Sequence, residues 1–235
     1  MQITYLMHSG FMVRDGENLF LFDDYDDPTK IADRAVDEEN FKRLYILTSH
    51  AHFDHFGTHI ADYAEKVSRY IFGNDIRRTK RVKMFPREKI IFLKRYTDWQ
   101  DDKIKVTAFD STDVGVSFLV ETAQSKIFHA GDFNWWHWEN DPDDKNIFAE
   151  KLFRRQLEKL NGLEVDAAFF PVDGRLGDYQ EQGVIEFIKT VKTSALIAMH
   201  RAGYPRWQPS QNFLDVAPSD LKIFAPVNTG EIFTI

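Results

Sequence analysis

The sequence predicts an α/β fold in which two β-sheets pack face to face and helices cover their outer sides. Three observations carry this. A meander of short strands opens the chain over residues 3–7, 11–14 and 18–22, broken by Ser9-Gly10 and by Asp15-Gly16, the second a strong hairpin signal. A second strand-rich block begins near residue 104, where 104–109, 116–121 and 126–129 alternate or run apolar between turn residues. Segments with helical character follow, at 147–160 and 182–192. A sheet buries its apolar face only against another layer, so two such blocks imply a layered sandwich.

In chain order, the first meander leads into the acidic run Asp23-Asp24-Tyr25-Asp26-Asp27-Pro28, a loop whose carboxylates are solvated except where one orients a histidine from behind. Residues 37–42 read as a short helix and 45–48 as a buried strand. Thr58 is an N-cap candidate for a helix to about residue 67, with His59 a plain helix residue on it. Strands follow at 69–72 and 89–93, and the basic stretch 77–87 between them reads as a solvated helix face. After the second block and its helices, the apolar run Ala195-Leu196-Ile197-Ala198-Met199 is a strand ending at His200.

Composition narrows the function. With 235 residues, 43% of them hydrophobic, the chain can bury a large core, and a single domain over 1–235 is expected, since no linker, low-complexity tract or repeat interrupts it. A net charge of −7 argues against holding polynucleotides by bulk electrostatics and favours a small-molecule substrate. The absence of cysteine excludes disulfides and thiolate ligands, leaving His, Asp, Glu and backbone oxygen for any metal. Residues 1–8 lack a basic and then apolar leader, and no segment approaches the ~18 apolar residues of a membrane span, so a soluble cytoplasmic protein without membrane partners is expected.

The chemistry concentrates in Ile46-Leu47-Thr48-Ser49-His50-Ala51-His52-Phe53-Asp54-His55-Phe56-Gly57, where a buried strand ends abruptly in three histidines and an aspartate. Imidazole nitrogen and carboxylate oxygen are ligands for zinc, iron or manganese. In an extended loop His50 and His52 point one way while Asp54 and His55 turn to a neighbouring point, a spacing that suits two adjacent ions better than one.

The pattern His50-x-His52-x-Asp54-His55 resembles the signature of the metallo-β-lactamase superfamily of metal-dependent hydrolases. The resemblance implies a four-layer αβ/βα sandwich of two mixed sheets with helices on the outer faces. It also implies that Asp132, in His129-Ala130-Gly131-Asp132, bridges two ions and that His200 is the last ligand. It places His8-Ser9-Gly10-Phe11 in a turn near the metals, with His8 either a hydrogen-bonded turn residue or one standing behind the ligands. The histidine that the superfamily usually carries after the strand at 104–109 is missing; the chain reads Asp110-Ser111-Thr112-Asp113 there. Asp113 is the expected substitute, with water, Ser111 or Asp110 as alternatives. One position would then have His50, His52, Asp132 and Asp113, the other Asp54, His55, Asp132 and His200. Zinc is the first expectation, and an oxygen-rich position admits manganese or iron as well.

Two divalent ions that share a water lower its pKa to about 7, and the resemblance implies hydrolysis of an ester, lactone or phosphodiester of a small cytoplasmic metabolite by that hydroxide. Asp54 is the expected catalytic residue, orienting the nucleophile and shuttling its proton. His137, Arg175 and Arg206, in segments that follow strand ends, are the candidate substrate contacts. The resemblance is nearest to small lone-domain members such as the sugar-phosphate lactonases of the L-ascorbate 6-phosphate lactonase type. A nucleic-acid phosphodiesterase and a catalytically impaired metal-binding or sensing protein are the other classes such a scaffold allows, and a homo-oligomer is compatible with either.

Overall fold

Alternation along the first strands decides the architecture. In Leu19-Phe20-Leu21-Phe22, all fully buried, the phenylalanines join one apolar cluster and the leucines another. Leu44-Tyr45-Ile46-Leu47 divides the same way, with Tyr45 and Leu47 on the first side and Leu44 and Ile46 on the second. Successive strand side chains point to opposite faces, so a strand that is apolar on both faces must be covered on both.

The computed structural model describes all residues, Met1 to Ile235. The strands are β1 (Gln2–Met7), β2 (Gly10–Asp15), β3 (Asn18–Phe22), β4 (Arg43–Thr48), β5 (Val67–Gly73), β6 (Ile90–Leu93), β7 (Asp98–Gln100), β8 (Lys105–Asp110), β9 (Val116–Glu121), β10 (Lys126–His129), β11 (Glu164–Pro171), β12 (Lys192–Met199), β13 (Lys222–Phe224) and β14 (Ile232–Thr234). The helices are α1 (Ile31–Asp37), α2 (Asp143–Leu157), α3 (Gln182–Thr190) and α4 (Gln211–Leu214). They build two seven-stranded sheets, ordered β14-β1-β2-β3-β4-β5-β6 and β13-β12-β11-β10-β9-β8-β7. Each is mixed: β3 to β6 and β10 to β13 run parallel, and the remaining pairs are antiparallel.

The inner faces meet through aromatic rings, Phe169 lying 4.8 Å from Phe11 and 5.8 Å from Phe22. Each buried ring contributes roughly 1.5–3 kcal/mol. Helices α2 and α3 cover the outer face of the second sheet, where Phe187 packs 4.6 Å from Phe170 and 5.4 Å from Phe128. Helix α1, with Ala32, Ala35 and Val36 inward, covers the first sheet together with Ile60, Tyr63 and Phe85 from short turns.

Three local expectations change. Residues 58–67 form a 3-10 turn over His59–Tyr63 and then enter β5, and Thr58 makes no capping bond. The three-residue period puts Ile60 and Tyr63 on one side, and both are buried against the sheet. The first helix is α1 rather than 37–42; Asp27 caps it from outside, its Oδ2 accepting from the Ala32 N–H at 2.6 Å, and Glu39 at φ 51° ends the segment. The basic stretch is a series of 3-10 turns, and Arg81 in it is structural: it lies 4.7 Å from the Phe56 ring and donates to the carbonyls of Phe56 and Ala51.

The parallel strands β4, β10, β11 and β12 end at Thr48, His129, Pro171 and Met199, so the segments singled out in the sequence all leave the sheets at carboxyl ends. No helix is long and apolar enough to cross a membrane.

Candidate metal centre

Ser49 begins the site. Its N–H and Oγ donate to the two oxygens of Asp23 at 2.6 and 2.7 Å, and its carbonyl accepts the Val116 N–H at 3.2 Å, so the end of β4 is tied to both sheets. The space around it is small. A Cβ on Gly115, at φ 86°, would lie 2.4 Å from the His50 Cβ, and one on Gly131, at φ 55°, would lie 2.9 Å from the Ser49 Cβ. Only glycine permits both the left-handed backbone and that approach.

The chain then turns through His52 and Asp54, with the Phe56 N–H on the His52 carbonyl, and brings His50 and His55 inward, both fully buried. Asp132, 5% exposed, sits between them. Its Oδ1 lies 3.1 Å from His55 Nε2 and 3.3 Å from His200 Nε2, while its Oδ2 lies 3.3 Å from His50 Nε2. Each carboxylate oxygen therefore faces a different set of imidazoles, as a group shared between two cations does. His52 and Asp113 join Asp132 on the exposed side, and His8, Asp54, His55 and His200 form a second group, each with donor atoms within 4.8 Å of one another.

The donor set fits divalent ions. His50 Nε2, His55 Nε2 and Asp132 Oδ1 are buried, lie close together and make no hydrogen bond. Adjacent ligands of an ion bonded at about 2.1 Å stand roughly 3.0–3.4 Å apart in octahedral or tetrahedral arrangement, which is the spacing seen here. Unsatisfied buried nitrogen and oxygen are otherwise costly.

The outward ring nitrogens are fixed by carboxylates. His55 Nδ1 is 2.7 Å from Asp23 Oδ2, His200 Nδ1 is 2.8 Å from Asp173 Oδ2, and His50 Nδ1 is 2.9 Å from the Ser49 hydroxyl that Asp23 holds. This sets each ring so that Nε2 presents its lone pair to the centre. The acidic loop thus supplies an orienting carboxylate, as the sequence allowed, and it is Asp23. Asp173 is a partner of the ligands that the sequence does not single out; a polar side chain at a strand end is a signal of position only.

Electrostatics follow the crowding. Burial alone would raise the Asp132 pKa, but His55, His200 and His50 hold it well below the carboxylate range. Burial would likewise lower His55, yet Asp132 and Asp23 raise it to about 10 without an ion. His8 is pushed the other way, to about 3, by burial and by His200 and His55, so its imidazole is neutral.

The centre floors a cleft of about 380 Å³ lined by His52, Asp54, Asp113, Trp136, Trp138 and Arg175 among others. Trp136 and Trp138 stack 6.0 Å apart, and Trp136 Nε1 donates to the Asp132 carbonyl at 2.9 Å. Arg175 lies 5.5 Å over Trp138 and is held by Asp173. The structure does not bring His137 or Arg206 to the cleft: His137 stacks on Tyr179 at 3.7 Å, and Arg206 is spent on Glu231 at 2.8 and 2.9 Å. Of the alternatives to Asp113, Asp110 is turned to Arg95 and Gln156, and Ser111 is buried and accepts the Asp113 N–H at 3.3 Å. His59 pairs with Asp24, outside the centre, at 3.3 Å.

Two seven-stranded mixed sheets with outer helices and a His/Asp cluster at the carboxyl edges define the metallo-β-lactamase fold. No protein-family profile matches the chain. The chain is similar, at 24% identity over 256 residues covering 99% of it and 100% of its relative, to a UPF0173 metal-dependent hydrolase of Exiguobacterium sp. (strain ATCC BAA-1283 / AT1b). Among solved structures it resembles Igni18, a metallo hydrolase of the hyperthermophilic archaeon Ignicoccus hospitalis KIN4/I, with TM-score 0.67 and 16% identity over 100% of this chain and 98% of that one. It also resembles the metallo-β-lactamase fold protein YhfI of Bacillus subtilis, with TM-score 0.54 and 10% identity over 99% of each.

Proposed function

We propose that the chain is a metal-dependent hydrolase that cleaves an ester, lactone or phosphodiester bond of a small metabolite. The observation that carries this is the division of Asp132 between two sets of imidazoles at the floor of an open cleft. Divalent ions held there supply an activated water and polarise the scissile group.

The chain's own residues do the rest. His50, His52, Asp113 and Asp132 would hold one ion, and Asp54, His55, His200 and Asp132 the other. Asp54, whose side chain is 29% exposed at the cleft, is positioned to accept a proton from the attacking water and return it to the leaving oxygen. Asp23 and Asp173 keep His55 and His200 in the ligating tautomer. Arg175, fixed by Asp173 and Trp138, offers guanidinium N–H groups to an anionic part of the substrate, and the Trp136–Trp138 wall packs its apolar part.

The test is hydrolysis of panels of lactones, carboxylic esters and phosphodiesters by protein reloaded with zinc, manganese or iron, with Asp132→Ala as control. Turnover of one class that is lost with Asp132 supports the proposal. Stoichiometric metal without turnover of any class would replace it with a binding or sensing role.

A further inference from the structure

We propose that His8 is itself a metal ligand, so that the two ion positions are unequal: an enclosed one held by His8, Asp54, His55, His200 and Asp132, and an open one held by His50, His52, Asp113 and Asp132. This rests on the metal-centre reading and goes beyond it, since the sequence motifs give the second position no more than four protein ligands.

The geometry of His8 is that of a donor with nothing else to bind. Its side chain is 10% exposed, and its Nε2 is buried without a hydrogen-bond partner. That atom lies 3.6 Å from Asp54 Oδ2, and donor atoms of His8, Asp54, His55 and His200 are all within 4.8 Å of one another. The His8 ring is 4.1 Å from that of His200 and 5.7 Å from that of His55, so three imidazoles surround one point.

The backbone is built to keep it there. His8 sits at φ 57°, a left-handed conformation rare for a residue with a Cβ and one that persists only where the surroundings impose it. Here they do: its N–H donates to the Tyr5 hydroxyl at 2.8 Å, and its carbonyl accepts the His200 N–H at 3.1 Å. The turn from β1 to β2 is thereby fastened to the ligand at the end of β12, joining the two sheets at the centre.

The consequence is a division of labour. Five protein ligands leave at most one position on a six-coordinate ion, which suits manganese or iron and resists loss. The open position is flanked by His52 and Asp113, both solvent-exposed, so substrate and exchangeable solvent enter there.

Metal-free protein is titrated with manganese alone by calorimetry, and with cobalt while its visible absorption is recorded. Wild type is expected to show a tight and a weaker class, the tight one with the weak bands of five- or six-coordinate cobalt. His8→Asn, chosen because asparagine accepts the left-handed backbone, is expected to weaken the tight class by more than about 100-fold, beyond the roughly 10–100-fold typical of lost supporting contacts, and to leave the weaker class in place. His8→Gln is the second variant, and circular dichroism of the metal-free variants separates misfolding from lost ligation. An unchanged tight class and cobalt spectrum in folded His8→Asn would overturn the proposal alone. Wild type that takes up no metal would overturn the metal-centre reading beneath it.

Discussion

At the scale of single residues the centre is held by pairs in which a carboxylate fixes a histidine. Asp173 accepts at 2.8 Å from the His200 ring and also anchors Arg175, so it serves the ligand and the cleft wall together. Asp173→Asn should lower metal affinity on the order of 10–100-fold, as loss of such partners generally does; calorimetric titration of the folded variant checks this. His55 gives a second expectation. Without an ion, burial lowers its pKa but Asp132 and Asp23 raise it to about 10, so at pH 7 it carries a proton that a metal must displace. Metal affinity should therefore rise with pH from 7 towards 10. Calorimetry at pH 7 in buffers of differing ionisation enthalpy should register proton release, and none would contradict the raised pKa. His50, His52, Asp54 and His55 were legible in sequence because the chain holds them within six residues at a strand end. Asp23 was legible only as one of four carboxylates in the acidic run, His8 only as a turn residue beside or behind the ligands, and Asp173 not at all, because an imidazole or carboxylate in a turn acquires its partner only when distant strands are brought together.

At the scale of elements, the strand ends and their glycines fix where the ligands stand. Gly115 lies in the turn from β8 to β9, at φ 86° and against the backbone of Ser49. Gly115→Ala should destabilise the fold by roughly 1–3 kcal/mol from backbone strain alone, with further loss from the collision with His50; chemical denaturation measures it, and an unchanged midpoint would show that the turn relaxes freely. Strands β3, β9 and β10 were readable to the residue, since each alternates or runs apolar between clear turns. Residues 58–67 were misread as a helix because burial of Ile60 and Tyr63 sets a three-residue period that pattern alone does not separate from an α-helical one over so short a span. Helix α1 was missed because its cap, Asp27, stands five residues before the amide it serves.

At the scale of the whole molecule, the two sheets meet at the metal centre, with ligands from β4 and from the β1–β2 turn on one side and from β10 and β12 on the other. Ions bound there bind the folded chain alone, so removing them should lower stability by about 4 kcal/mol when free metal stands at 1,000 times its dissociation constant. A thermal melt with and without chelator reads this, and coincident curves would deny that the ions join the sheets. The fold was legible as a whole because two strand-rich blocks with following helices have few ways to bury their faces. The cleft wall was less so: Arg175 lines it, whereas Arg206 closes on Glu231, a difference that composition near a strand end does not encode. The most direct measurement is anomalous diffraction at the metal edge from crystals grown with manganese or zinc. Two peaks about 3.5–4 Å apart are predicted, one beside each oxygen of Asp132, the first within bonding distance of His55 and His200 and the second of His50 and His52. No peak, or a peak away from Asp132, would contradict the account.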